Sequence, residues 1–196
     1  MKLAAADNIY YIRKLTRADA KAVCSWRYEG PQEIYNTENN SESIREFFDG
    51  THFALSEKFG GPICAFINFG PRATIPVPEV EDIYSDESFT DFSVGLAPET
   101  CGKGNGKYIV LAAMELAAHY FPEDGFRATV DPDNTPAYSI YRAFGFTPVA
   151  RLKAEVIYPD NTGTLRTKLI RPEILTAAPE ALRTAEKIVN EADRSK

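Results

Sequence analysis

The stretch Cys101-Gly102-Lys103-Gly104-Asn105-Gly106 sets three glycines and a lysine within six residues. Glycine lets a backbone turn its N–H groups toward one point and lets an anion come close to them. The residues that follow have helical spacing, so the loop would end at a helix N-terminus, whose partial positive charge favours phosphate. Lys103 and Lys107 would add point charges to a bound pyrophosphate. The loop is neither of two familiar nucleotide motifs. A Walker loop needs Gly-Lys followed by Ser or Thr, whereas Lys103 and Lys107 are followed by Gly104 and Tyr108. A dinucleotide fingerprint needs a third glycine three residues after Gly104, where Lys107 stands. The plainer reading is a tight turn between a strand and a helix.

The flanking pattern supplies such a strand and helix. Residues 91–96 read as a strand, and residues 107–119 form a helix with Ile109, Val110, Ala113, Met114 and Ala117 on one apolar face. A strand over 126–130 and a short helix over 136–144 follow, the helix with Pro136 in its first turn and Gly145 just past its end. Upstream, 9–15 reads as a strand, and Thr16 with Asp19 resembles a capping box that starts a helix over 17–28. Ser41 would cap a second helix through 48, and residues 51–57 and 63–69 would form a hairpin. Prolines and acids make 70–88 a long surface loop. Residues 149–158 and 164–170 suggest another hairpin, and 179–193 a polar C-terminal helix. The order is βααββ–loop–βαβα–ββ, a mixed α/β domain over residues 1–172 with a helical extension over 173–196.

Bulk properties narrow the function. With 196 residues, one domain with a full core is the expectation. A net charge of −6 and a pI near 5.1 disfavour duplex nucleic acid as the partner and favour cationic substrates such as amines. Cys24, Cys64 and Cys101 are far apart and odd in number, which argues against a disulfide framework. His52 and His119 are isolated, so no metal site is expected. The N-terminal apolar run is too short for a signal peptide, and no stretch approaches the ~20 apolar residues of a membrane helix. These features predict a cytoplasmic, reduced protein without nucleic-acid or membrane partners, monomeric or homodimeric.

The loop has company. Val94-Gly95-Leu96-Ala97-Pro98 followed by Cys101-x-x-Gly104-x-Gly106 resembles the acetyl-CoA signature of the GNAT superfamily of N-acetyltransferases. Val130 and then Asn134-x-x-Ala137-x-x-x-Tyr141-x-x-x-Gly145-Phe146 is similar to the family's second cofactor-side motif. Cys101 departs from the Gln or Arg usual at that position. The element order extends the likeness over residues 9–170. The segments from Ser25 to Glu29 and from Ile34 to Asn36, with the strand Asp91-x-x-x-Gly95-Leu96, resemble a set of small bacterial GNAT proteins without generally established substrates.

The resemblance implies a mixed, mostly antiparallel central sheet of about six to seven strands flanked by about four helices. It implies direct transfer of the acetyl group of acetyl-CoA to a primary amine while both substrates are bound. Backbone groups at Val94 and Leu96 would pair with the pantetheine arm as an added strand. Cys101, Gly102, Lys103, Gly104, Asn105, Gly106 and Lys107 would hold the pyrophosphate, and Asn134 and Ala137 would border the cofactor. Tyr141 would be the general acid, since a phenol of pKa about 10 can protonate a departing thiolate; packed in the core instead, its ring would meet Phe144 and Phe126. Asn134 would equally cap its helix. Asp91 is the best candidate for the base, with Glu29 and Glu33 behind it. Trp26, Tyr28, Glu29 and Tyr35 would line the acceptor pocket, although an aromatic stripe is also what a core looks like. A non-catalytic acyl-CoA-binding sensor is the alternative.

Overall fold

A computed structural model describes residues 2–5, 8–122 and 124–194. Met1, Ala6 and Asp7 of the N-terminal run, and residues 195 and 196 of the expected extension, lie outside the described residues. Strand β1 (Lys2–Ala5) pairs antiparallel with β2 (Asn8–Lys14). Helix α1 (Arg17–Cys24) starts at the expected capping box, where the Thr16 N–H donates to the Asp19 carboxylate at 2.8 Å and the Asp19 N–H to the Thr16 hydroxyl. It ends earlier than expected. Residues 25–29 leave it as irregular chain and enter a 3-10 turn, Gly30–Tyr35.

Helix α2 (Ser41–Phe47) is capped by Asn40 and followed by β3 (His52–Ser56) and β4 (Ala65–Phe69). The expected loop over 70–88 holds two 3-10 turns and a short helix, α3 (Glu81–Tyr84). Then come β5 (Phe89–Leu96), α4 (Gly106–Tyr120), β6 (Gly125–Val130) and α5 (Thr135–Ala143). The chain closes with β7 (Thr147–Arg151), β8 (Ala154–Pro159), β9 (Leu165–Ile170), β10 (Glu173–Ala177) and α6 (Ala181–Arg194).

The architecture is the mixed, mostly antiparallel sheet anticipated. Eight strands run in the order β1-β2-β3-β4-β5-β6-β10-β7, with β5–β6 the parallel pair. The strands added to the expected set are β1 and β10. The hairpin drawn from 149–158 and 164–170 divides: β7 joins the sheet beside β10, while β8 and β9 form a separate ribbon. Residue 173 begins β10, which has β6 and β7 as neighbours, so the sheet continues past residue 172.

One face of the sheet buries α4. Tyr108, Ile109, Leu111, Met114 and Leu116 pack against Ile67, Phe92, Phe126 and Leu175, each worth about 1.5–3 kcal/mol of transfer free energy. The opposite face is covered near β3 and β4 by a cluster of Leu15, Ala20, Val23, Trp26 and Phe66, and near β10 by Val80, Leu152 and Ile174. That second face and the gap described next define the site.

Candidate active site

Strand β5 pairs with different neighbours along its length. Phe89, Thr90 and Asp91 pair with Gly125, Phe126 and Arg127 of β6, whereas residues 92–96 pair with β4. Past Asp91 the β5–β6 ladder stops and the sheet opens into a V. The Ala97 N–H donates to the Cys64 carbonyl at 2.8 Å, so the backbone at 97 faces the β4 side. Strand alternation turns Ser93 and Gly95 the same way and directs the N–H and C=O groups of Val94 and Leu96 into the gap. This is the unpaired edge that an extended ligand would complete.

The hinge of the V is an ion pair. Arg127 is almost wholly buried and donates to both oxygens of Asp91 at 2.7 Å, to the carbonyls of Tyr84 (3.0 Å) and Asp86 (3.1 Å), and to the Ile83 carbonyl. All five guanidinium donors are thereby used. The Tyr84 hydroxyl bonds Thr129 Oγ1 at 2.6 Å, fixing α3 to β6. Asp91 is the residue expected to act as the base. Its two oxygens are held in a bidentate pair with an arginine, which suits an anchor and not a proton acceptor.

The glycine loop has the geometry of an anion cradle. Gly102 and Gly104 have φ of +71° and +78°, and space is open where a Cβ would stand on either. Among the described residues, no hydrogen bond joins the backbone N–H of residues 102–107 to a protein acceptor. Asn105 precedes α4, and its side chain turns to the Thr100 carbonyl and makes no bond to the first amides of α4, so those of Gly106 and Lys107 stay free among the described residues. A Cβ on Gly106 would come within 2.9 Å of Ile140 Cδ1, so glycine lets α4 approach α5. Lys103 is exposed, and Lys107 Nζ lies 4.9 Å from the centroid of the Tyr108 ring. Burial, then the charge of Glu99, pushes the Cys101 thiol up, so it is not an activated thiolate.

Across the gap, Asn134 starts α5. Its side chain accepts from the Ala137 N–H at 3.5 Å and donates to the Tyr35 hydroxyl at 3.1 Å. The Tyr28 hydroxyl donates to the Leu96 carbonyl at 2.7 Å, and the Tyr28 and Tyr35 rings meet edge to face at 6.3 Å. Tyr28 and Tyr35 thus link the two arms of the V. The Tyr141 ring is buried against those of Phe92 (5.9 Å) and Phe146 (5.2 Å), in the core cluster that also holds Phe126 and Phe144. Its hydroxyl bonds no described protein group, and burial raises its pKa.

The remaining candidates separate. Trp26 stacks on Phe66 at 6.0 Å, on the face that carries Asp91 and Ser93. Phe66 lies beneath Gly95, where a Cβ would be only 2.3 Å from its ring. Glu29 is exposed, and its side chain makes no hydrogen bond among the described residues. Glu33 accepts from Asn161 of the β8–β9 ribbon at 3.0 Å. Sequence reasoning passed over Arg127, whose charge interrupts an apolar strand, and Asp131, the acid directly after β6. Asp131 is 8% exposed; its Oδ1 accepts from the Asp133 N–H at 3.1 Å, and its Oδ2 is buried with no partner. A depression of about 370 Å³ at the far end of β5 and β6, lined by Ser88, Phe89, Gly125 and Thr147, contains none of these residues.

A sheet that opens beside a glycine loop, with helices on both faces, is a fold shared with solved acetyltransferases of the GNAT family. Over 92% of its length this chain matches an acetyltransferase of the GNAT family from Bacillus anthracis, of which 99% is covered, with a TM-score of 0.60 and 16% identity. The Salmonella typhimurium protein yncA, solved with its cofactor acetyl-CoA, matches with a TM-score of 0.54 and 15% identity over 87% of this chain and 94% of that one. A variant of the spermidine N-acetyltransferase SpeG from Vibrio cholerae gives 0.59 and 13% identity over 88% and 95%. In sequence, the chain is 34% identical over 118 residues to a mycothiol acetyltransferase of Pseudarthrobacter chlorophenolicus and 42% identical over 76 residues to one from an Arthrobacter species. These stretches are 58% and 37% of this chain but 32% and 21% of those longer proteins. No protein-family model matches the chain.

Proposed function

We propose that this chain is an acetyl-CoA-dependent N-acetyltransferase that moves an acetyl group directly to a primary amine. The observation that carries the reading is the pairing on one cleft of two backbone surfaces without a strand partner, the first met only by the Tyr28 hydroxyl at the Leu96 carbonyl. The slot-facing groups of Val94 and Leu96 suit the amides of a pantetheine arm, and the free N–H groups of residues 102–107 suit a pyrophosphate. A bare structural turn would have no use for both. The names of the similar proteins, acetyltransferases throughout, support the same reading.

The acetyl thioester supplies the activated acyl group; the protein positions and stabilises. In this reading a Val94 backbone N–H faces the thioester oxygen as charge develops on it. Tyr141, with an unused hydroxyl beside Phe92, donates the proton that the departing sulfur needs. The acceptor enters on the face that carries Trp26 and Ser93, walled by Tyr28 and Tyr35. Acetyl-CoA is titrated calorimetrically into the protein, with dephospho-CoA and ATP as controls, followed by thiol release with a polyamine, an amino sugar, an amino acid and a peptide N-terminus. Micromolar, acetyl-CoA-selective binding with thiol release for one of them is the expected result. Binding without release for any amine supports a sensor, and absence of binding overturns the cofactor site.

A further inference from the structure

The reaction needs a group to take a proton from the incoming ammonium, and Asp91 is committed to Arg127. The face along which the acceptor enters carries alternate residues of β6. Phe126, Ala128 and Val130 point into the helix-side core. Arg127 and Thr129 point the other way, toward Asp91 and Tyr84. Asp131 continues the second series just past the end of β6. The parallel ladder ends at the Asp91–Arg127 pair, so Asp131 lies four residues beyond it on the β6 arm, where β5 and β6 have parted. The Asp131 backbone carbonyl accepts from the Asn134 N–H at 2.9 Å, and Asn134 in turn donates to the Tyr35 hydroxyl, so Asp131 stands on the β6 arm beside the residues that bridge the V.

Its chemistry is unusual for its surroundings. A carboxylate oxygen taken from water without a donor is costly, so buried carboxylates are normally paired. Asp131 Oδ2 is buried and has no donor among the described residues, although Oδ1 is held by the Asp133 N–H. That single bond fixes the side chain and leaves the second oxygen for something absent from the protein. Tyr35 lies close by, its phenol raised by burial and also by the charges of Asp131 and Asp133. Tyr35 is in turn the residue that Asn134 ties to the start of α5. Asp131 is thus linked through Asn134 to Tyr35, a residue of the aromatic wall assigned to the acceptor.

We infer that Asp131 is the carboxylate that receives the acceptor's ammonium group and takes its proton, an inference that rests on the acetyltransferase reading above. The ammonium donates to Oδ2 and transfers one proton to it, leaving a neutral amine. The nitrogen lone pair forms the C–N bond to the thioester carbonyl carbon; the C–S bond breaks and its electron pair stays on sulfur. The nitrogen then loses its second proton to water, sulfur gains one from Tyr141, and Tyr141 regains one from water. One proton in sum is released to water through Asp131. Acceptors that are cations at neutral pH fit this oxygen; neutral alcohols and carboxylates do not.

The test compares wild-type protein with Asp131→Asn and Asp131→Glu, using spermidine and glucosamine as acceptors and calorimetric acetyl-CoA binding as the control. Asp131→Asn is expected to lower kcat/KM for the amine by about 100-fold or more, the usual contribution of a general base. Acetyl-CoA affinity stays within about twofold, Asp131→Glu recovers part of the loss, and the acidic limb of the pH profile moves in Asp131→Glu. If the wild type turns over and Asp131→Asn retains kcat/KM within about threefold, the assignment to Asp131 is overturned while the acetyltransferase reading stands. If the wild type acetylates neither amine, nor any of the wider panel, both fall. A loss of acetyl-CoA affinity equal to the loss of kcat/KM assigns Asp131 to the shape of the slot and likewise overturns its role as base.

Discussion

Tyr141 holds a hydroxyl that no protein group uses, set among the rings of Phe92 and Phe146. Removing a hydroxyl that bonds nothing leaves packing intact, so Tyr141→Phe is expected to keep stability within about 1 kcal/mol. Turnover should fall about 100-fold with acetyl-CoA affinity unchanged, the signature of a lost proton donor; stopped-flow thiol release beside calorimetry reads both. Asp91 predicts the opposite pattern. Its carboxylate compensates a buried guanidinium, and Asp91→Ala leaves that charge unpaired, costing about 3–5 kcal/mol by chemical denaturation. The two residues show what spacing along a chain conveys. Asn134, Ala137 and Tyr141 lie on one short helix, so their order was legible. The Asp91–Arg127 pair spans two strands separated by α4, and only the parallel register reveals that the best candidate base is already engaged. The unpaired oxygen of Asp131 is likewise a property of packing and has no sequence signal beyond an acid at a strand end.

At the scale of elements, the glycine loop and α4 were legible because backbone conformation is what glycine spacing encodes. β10 was not. Ile174 and Leu175 are both fully buried on consecutive positions, because a central strand is covered on both faces and loses the alternation that marks a half-exposed one. A register shift between those two residues blurs the pattern further. β7 and β8 ran together in the reading because only Leu152 and Lys153, without glycine or proline, divide them. The 3-10 turn at Gly30–Tyr35 yields a prediction of its own. Just before it, Tyr28 occupies the Leu96 carbonyl, one of the slot-facing groups that pantetheine would use. Displacing that bond opposes binding by about one net hydrogen bond, roughly 1 kcal/mol. Tyr28→Phe is therefore expected to tighten acetyl-CoA by about fivefold in titration calorimetry; weaker binding would show that Tyr28 supports the slot instead.

For the molecule as a whole, α6 closes the helix layer by packing on α4, with Asp193 accepting from the Tyr108 hydroxyl. Within the same contact Glu115 of α4 is partly buried, its Oε2 has no partner, and Glu186 of α6 adds a like charge. Burial first, then Glu186, pushes Glu115 from an ordinary 4.5 up to about 7. Between those two pH values the folded protein keeps a proton that the unfolded chain has released. Stability therefore falls as pH rises through this window and is level above about 7. His52 acts in the opposite sense, since burial lowers its pKa below 6.5 and favours the neutral ring as pH rises. Asp19 and Asp49, held near 2, matter only at lower pH. The difference between wild type and Glu115→Gln isolates the carboxyl. After allowance for solvent screening, Glu115→Gln is expected to be more stable by on the order of 1 kcal/mol at pH 8 and equal to wild type near pH 4.5. Thermal unfolding across that range reads the divergence. Parallel curves would mean that α6 moves aside at neutral pH and lets water reach Glu115, which would make the C-terminal helix a loosely docked element instead of a fixed wall of the core.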